Sequence, residues 1–244
     1  MNETAAPFVL FSTYHLVTLG LIALASFALP LAVRGRPALH QPVANAFAIT
    51  LLIIQSWKIL HRALYLDQSI LLHLPLHICG ISTFLVAIML LRRSFSFYEV
   101  LIFWGLGATP QAILTPNLEY AFPHPQYFGF FITHGMIIVG VLYATLVFDF
   151  RPTWKSFGKG ILALNLYALF VTPFNLFLDA NYLFLRAKPA GASLMDSLGP
   201  WPWYLIPLEF LGAFFFLLVF GFVKILDKIF PVVETAEAVN AASD

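Results

Sequence analysis

Hydrophobic positions in this chain fall into long runs, and charged positions fall into short clusters between them. Seven runs, residues 13–33, 43–66, 70–91, 97–114, 127–148, 160–178 and 203–229, are each long enough to cross a bilayer as a helix, which takes about 20 residues at 1.5 Å rise per residue. The connections are short except for 179–202, where an apolar and aromatic part is mixed with Pro189, Gly191, Gly199, Pro200 and Pro202. Two readings of that stretch stay open, a cap over the mouth of the bundle or an ordinary interfacial loop. No internal repeat is visible. The pattern predicts an all-α, polytopic membrane bundle of seven transmembrane helices in one domain, 1–230, followed by a small, acidic, disordered tail, 231–244.

Composition sharpens this picture. Sixty per cent of the residues are apolar or aromatic, 26 of them Phe, and only 10% are charged, a balance that excludes a soluble domain. A net charge of +1 gives no footing for nucleic acid. Nine of the thirteen Lys and Arg residues lie in alternate connections and at the C-terminal end, at Arg34, Arg36, Arg92, Arg93, Arg151, Lys155, Lys159, Lys224 and Lys228. The positive-inside bias then puts the N terminus outside and the C terminus in the cytoplasm, as an odd helix count requires. The first run follows an acidic residue, Glu3, and ends in arginines, so it reads as a retained helix of a cell-membrane protein and not as a cleaved signal. Tyr14, Trp57, Tyr65, Tyr120, Tyr127, Trp201, Trp203 and Tyr204 flank the runs as headgroup-level aromatics and need no functional reading.

The third run carries the candidate chemistry. It contains His73, His77 and Cys79, the only cysteine in the chain, and a thiol and imidazoles at hydrocarbon depth need a reason. A lone thiol is either packing or a nucleophile. Counting from the outer end of each helix sets Cys79 and His134 of the fifth run at about 10–14 Å depth. Lys58, Gln111, Asn175 and Glu209 fall within about two turns of that level. Six helices thus contribute a polar group to one slab, and lipid would not solvate them, so they are expected to face a shared cavity. On a helix, residues two apart point about 200° apart, so His77 cannot serve Cys79, and an activating imidazole must come from another helix. His134 is at the right height. In that arrangement His134 takes the thiol proton and returns it to the leaving group, Glu209 orients the imidazole, and Gln111, Asn175 or the Gly80 amide donates to an oxyanion.

Plainer roles stand beside these. Cys79 and His134 can each be satisfied core residues, and Lys58 can pair with Glu209 between the second and seventh helices or reach outward alongside Arg62. His73 and His77, four apart, have metal-ligand spacing that His61, His134 or Glu209 would complete, but spacing alone is a weak signature and no metal or other cofactor is assigned. Pro75, Pro110 and Pro173 are expected to kink their helices near the slab.

The stretches HLPLHICGIS (73–82), FWGLGATPQAILTP (103–116), ITHGMI (132–137), NYLFLRAKP (181–189) and LGPWPWY (198–204) resemble the transmembrane protein 164 family of integral membrane acyltransferases, in its bacterial branch. The resemblance covers nearly all of the folded chain. It implies a fold distantly similar to the androgen-induced hydrolases of fatty-acid esters, with a Cys nucleophile and a His whose roles fall on Cys79 and His134. It also implies fatty-acyl transfer between membrane phospholipids and lysophospholipids through an acyl-enzyme. Two alternatives remain at this point: a lipid-ester hydrolase using the same pair, and a transporter using the polar layer, against which the lack of inverted repeats argues mildly.

Overall fold

The computed structural model describes residues 6–65, 74–189 and 194–232, the side chains of 62, 63 and 65 excepted. Its helices are α1 (Thr13–Arg34), α2 (Pro37–Tyr65), α3 (Ile78–Arg92), α4 (Phe95–Gly107), the short α5 (Thr109–Leu114), α6 (Pro125–Leu146), α7 (Trp154–Phe177) and α8 (Leu205–Ile229). Two 3-10 turns, Tyr182–Phe184 and Leu194–Leu198, lie between α7 and α8. Among the described residues the only extended pairing is a single antiparallel bridge from Pro7 to Tyr120. The chain is therefore an all-α bundle. Five helices, α1, α2, α6, α7 and α8, are long and apolar enough to cross a membrane, and this is a multi-pass membrane protein.

Two of the expected spans are built differently. The run 70–91 is helical only from Ile78, and α3 has 15 residues, about 22 Å. Residues 74–77 form an irregular turn; 66–73, and with them His73, lie outside the described residues. Pro75 explains the late start, because proline disfavours helix in the residue before it and offers no N–H to a helix ladder. Instead of kinking a helix, Pro75 folds back over the start of α3. A Cβ on Gly80 would lie 2.8 Å from the Pro75 carbonyl oxygen, so only glycine admits this approach. The fourth run divides at Ala108, with Pro110 in the first turn of α5, where a missing N–H costs nothing. In the sixth run the helix begins six residues early, at Trp154, because Thr153 and Ser156 form a reciprocal capping box. The tail beyond 232 lies outside the described residues.

Burial sorts the helices into a centre and a periphery. On α4, Tyr98, Leu101, Ile102, Phe103 and Trp104 are buried on successive faces, as are most residues of α6. Gly140 of α6 lets α3 come close, since a Cβ there would meet Val86 Cγ1 at 2.6 Å. By contrast, α1, α2, α7 and α8 turn large apolar side chains such as Leu21, Ile53, Leu169 and Phe210 outward. In water such a surface would be untenable; against lipid tails it is the expected one.

The basic connections gather at one end of the bundle. Arg151 Nε meets Asp227 Oδ1 at 2.8 Å and its Nη2 donates to the Phe230 carbonyl at 2.9 Å. Arg34 Nη2 lies 3.5 Å from Asp149 and donates to the Pro231 carbonyl, and the Arg93 guanidinium lies over Phe148. At the same end Glu99, buried, accepts from Ser156 Oγ at 2.8 Å and pairs with Lys159.

Candidate functional site

Cys79 is the second residue of α3, not a residue nine positions inside a long helix. The first amides of a helix lack partners within it, and the helix N terminus favours anions, so the thiol stands beside groups that suit a negative charge. It is half-buried, and its Sγ is 3.9 Å from Thr109 Oγ1, a weak contact across to α5. Thr83 is spent on the Cys79 carbonyl at 2.8 Å. Ser82, one turn further in, has a buried hydroxyl with no partner among the described residues.

His134 sits on α6. Its Nδ1 is 2.8 Å from the Phe130 carbonyl, and a carbonyl only accepts, so Nδ1 carries the proton and Nε2 presents its lone pair. The ring stacks on Phe130 at 4.0 Å. Nε2 has no hydrogen-bond partner among the described residues. Thr133, beside it, receives a hydrogen bond from Lys58 Nζ of α2 at 3.0 Å and donates to the Gly129 carbonyl at 2.7 Å. The Lys58 stem lies along Gly129, where a Cβ would sit 3.6 Å from it. No hydrogen bond joins the thiol to the imidazole; Thr109 is the recorded partner of Sγ and the Phe130 carbonyl that of the ring.

The rest of the expected slab disperses. Glu209 accepts from Asn165 Nδ2 at 2.8 Å on the α7–α8 face, so neither the Lys58–Glu209 pair nor the carboxylate behind His134 is formed. Asn175, 1% exposed, donates to the Tyr182 carbonyl at 2.9 Å and accepts from Tyr182 N at 2.6 Å. It is a clamp for the turn after α7, with its oxygen and one of its two amide N–H donors spent there. His77 is the N-cap residue of α3 and makes no capping bond; its ring packs against Tyr182 and Phe184 at 5.3 and 5.4 Å. That turn therefore rests beside the start of α3, while Tyr167 of α7 holds the preceding Leu76 carbonyl at 3.0 Å. Residues 74–77 are not helical, and the His73 end of the expected ligand pair lies outside the described residues. Among the described residues no three His, Cys, Asp or Glu side chains converge.

Gln111 points elsewhere, into an apolar cavity of about 400 Å³ walled by α1, α5, α6 and α8. A second apolar groove, about 700 Å³, runs between α1 and α6. Neither is lined by Cys79 or His134. The residues that reading the chain did not single out are Thr109, Thr133 and Ser82. Ser and Thr are common in membrane helices, where they bond their own backbone, so nothing in the sequence marks these three.

The sequence pattern of the TMEM164 family matches residues 10–220. An uncharacterized protein of Treponema pallidum (strain Nichols) is 27% identical over 169 residues, covering 69% of this chain and 68% of its own. No solved structure matches.

Proposed function

The chain belongs to the TMEM164 family, and from that premise we propose that it is a lipid acyltransferase of the cell membrane, with Cys79 as nucleophile and His134 as base. The observation that supports the reading is that α2, α3 and α6 pack on one another, with Lys58 of α2 bonded to Thr133 beside a His134 whose Nε2 is unengaged. Cys79 stands at the start of α3 in that packing. The free Nε2 of His134 is the atom able to take a proton, and its tautomer is already set by Phe130.

In the proposed reaction Nε2 takes the Sγ proton as the sulfur attacks the ester carbonyl of a glycerophospholipid. The carbon–oxygen ester bond breaks, the lysophospholipid oxygen leaves with the proton from Nε2, and the acyl group stays on sulfur as a thioester. A second lysophospholipid hydroxyl then gives its proton to Nε2, attacks the thioester and regenerates the thiol. The first amides of α3, the Ser82 hydroxyl and the Lys58 ammonium are the groups at hand for the oxyanion. Hydrolysis differs only in that water resolves the thioester, and apolar surroundings favour the lipid acceptor. The arginine-rich end faces the cytoplasm by the positive-inside bias, which sets Cys79 in the outer half of the membrane.

Purified protein incubated with an acyl-labelled phospholipid, quenched with acid and digested, is expected to carry the acyl mass on the Cys79 peptide. Cys79→Ala abolishes it. Absence of that mass in the unaltered protein under trapping conditions would overturn the mechanism.

A further inference from the structure

The cavity between α1 and α8 has the shape and polarity of a site for one hydrocarbon chain. It runs along the helix axes: residues 19–27 of α1 span about 12 Å and residues 215–222 of α8 about 10 Å at 1.5 Å per residue. Its floor is Ile113, Ile138 and Val219, all buried, while Leu218 on its rim is 52% exposed, so the slot opens sideways to lipid. Its volume of about 400 Å³ is within the range of small-molecule sites.

Two polar side chains line it. Ser26 is satisfied, its Oγ donating to the Ile22 carbonyl at 2.7 Å. Gln111 is not: its backbone carbonyl accepts from Thr115 Oγ1, but its side-chain amide has no partner among the described residues. An unpaired amide facing hydrocarbon is unfavourable, and a ligand's polar atom would supply its missing partner. Its level is fixed by the neighbouring bond of His15 Nε2 to the Ile113 carbonyl, 2.8 Å, which ties α5 to the first turn of α1. The amide therefore lies at the end of the slot nearer that membrane surface, and the apolar walls run inward from it. That is the order of groups in an acyl ester.

We propose that this slot is a binding site for one acyl chain of a glycerophospholipid, with the ester carbonyl accepting from the Gln111 amide. The site is separate from the thiol. Thr109 touches Cys79, while Gln111, two residues later and about 200° round α5, faces the slot. The inference thus goes beyond the acyl-transfer reading and can be tested without it.

The test uses the full chain carrying Cys79→Ala, reconstituted in phosphatidylcholine vesicles with a trace of phosphatidylcholine bearing a diazirine at mid-chain. After irradiation, label is expected to concentrate in peptides containing residues 19–27 and 215–222, above the level on the lipid-facing residues of α7. Ala23→Trp, which fills the slot from α1, should lower that label about tenfold and leave the α7 background unchanged. Leu218→Trp, from the opposite wall, gives the same result if the first variant folds poorly. Gln111→Leu should lower it about threefold, the loss of one hydrogen bond. Label spread evenly over lipid-facing surfaces, or unaffected by either Trp, overturns the proposal. Displacement by free fatty acid but not by excess phospholipid would also overturn it, since the occupant would then be the acid.

Discussion

Two histidines in this bundle lie in apolar helices about a dozen ångströms or less from the same end, yet they stand in opposite chemical positions. His15 of α1 is 0% exposed and both ring nitrogens are engaged: Nδ1 accepts from the Phe11 amide at 3.0 Å and Nε2 donates to the Ile113 carbonyl at 2.8 Å. Phe8, Phe11 and Phe131 enclose the ring. His134 of α6 spends one nitrogen on its own helix and keeps the other open. An imidazole that accepts on one side and donates on the other serves as a bracket between the N-terminal segment, α1 and α5. One with a single engaged nitrogen has a lone pair to use. The number of engaged nitrogens, more than depth or burial, is what distinguishes the two rings.

That contrast predicts a crossed pattern of effects. The largest belongs to His134→Ala, expected to slow formation of the Cys79 acyl adduct by about 10²–10⁴, the usual worth of a general base. Its cost in stability is expected to stay near 1–2 kcal/mol, because the bond lost returns to an i−4 carbonyl that the helix ladder already uses. His15→Ala should do the reverse. It leaves the buried Ile113 carbonyl and the part-buried Phe11 amide without partners, at about 2–4 kcal/mol of stability, while the adduct rate at a permissive temperature changes little. Thermal unfolding in detergent and quenched-flow mass spectrometry check the two halves. Equal loss of rate in both variants would erase the distinction.

Much of this architecture is written in the chain, and the part that is not has identifiable causes. The long apolar runs read directly as helices because length and hydropathy suffice, and the basic connections do gather at one end through Arg34, Arg93 and Arg151. The start of the third helix could not be read from hydropathy, since Pro75 and the residues around it are as apolar as a span. Its break depends on a fold-back that only Gly80 permits. A depth count also fixes height and not azimuth. Glu209 and Asn175 turn to Asn165 and to Tyr182, whereas Lys58 reaches Thr133, the neighbour of His134. His15 gave no signal, because its partners are backbone groups brought to it by the fold.

A third, smaller effect tests whether the open imidazole and the thiol share an electrostatic environment. Lys58→Met keeps the stem that covers Gly129 and removes the charge. A unit charge is worth about 2–4 kcal/mol at roughly 4–8 Å and an effective dielectric near 20, before relaxation and screening reduce it. A tenfold slower adduct is therefore expected. Thr133 is not orphaned by the change, since its hydroxyl retains the Gly129 carbonyl, so stability should fall by about 1 kcal/mol or less. An unchanged rate would separate Lys58 from the site and remove the main support for pairing Cys79 with His134.

The smallest effect concerns Glu209, whose depth suggests a partner for Lys58 or His134 and whose contact is with Asn165 instead. Glu209→Gln keeps the oxygen that accepts from Asn165 Nδ2, and the pair lies at a partly exposed face, so the stability change should stay within about 0.5 kcal/mol. The adduct rate should move less than twofold. The sharper measurement is the double variant with Lys58→Met. If Glu209 stands apart from the site, the two effects on rate multiply independently, as for distant groups. A coupling of 1 kcal/mol or more between them would mean that the carboxylate does reach the ammonium when lipid is bound. The line between the engaged and the open histidine would then have to be redrawn to include a third group behind His134.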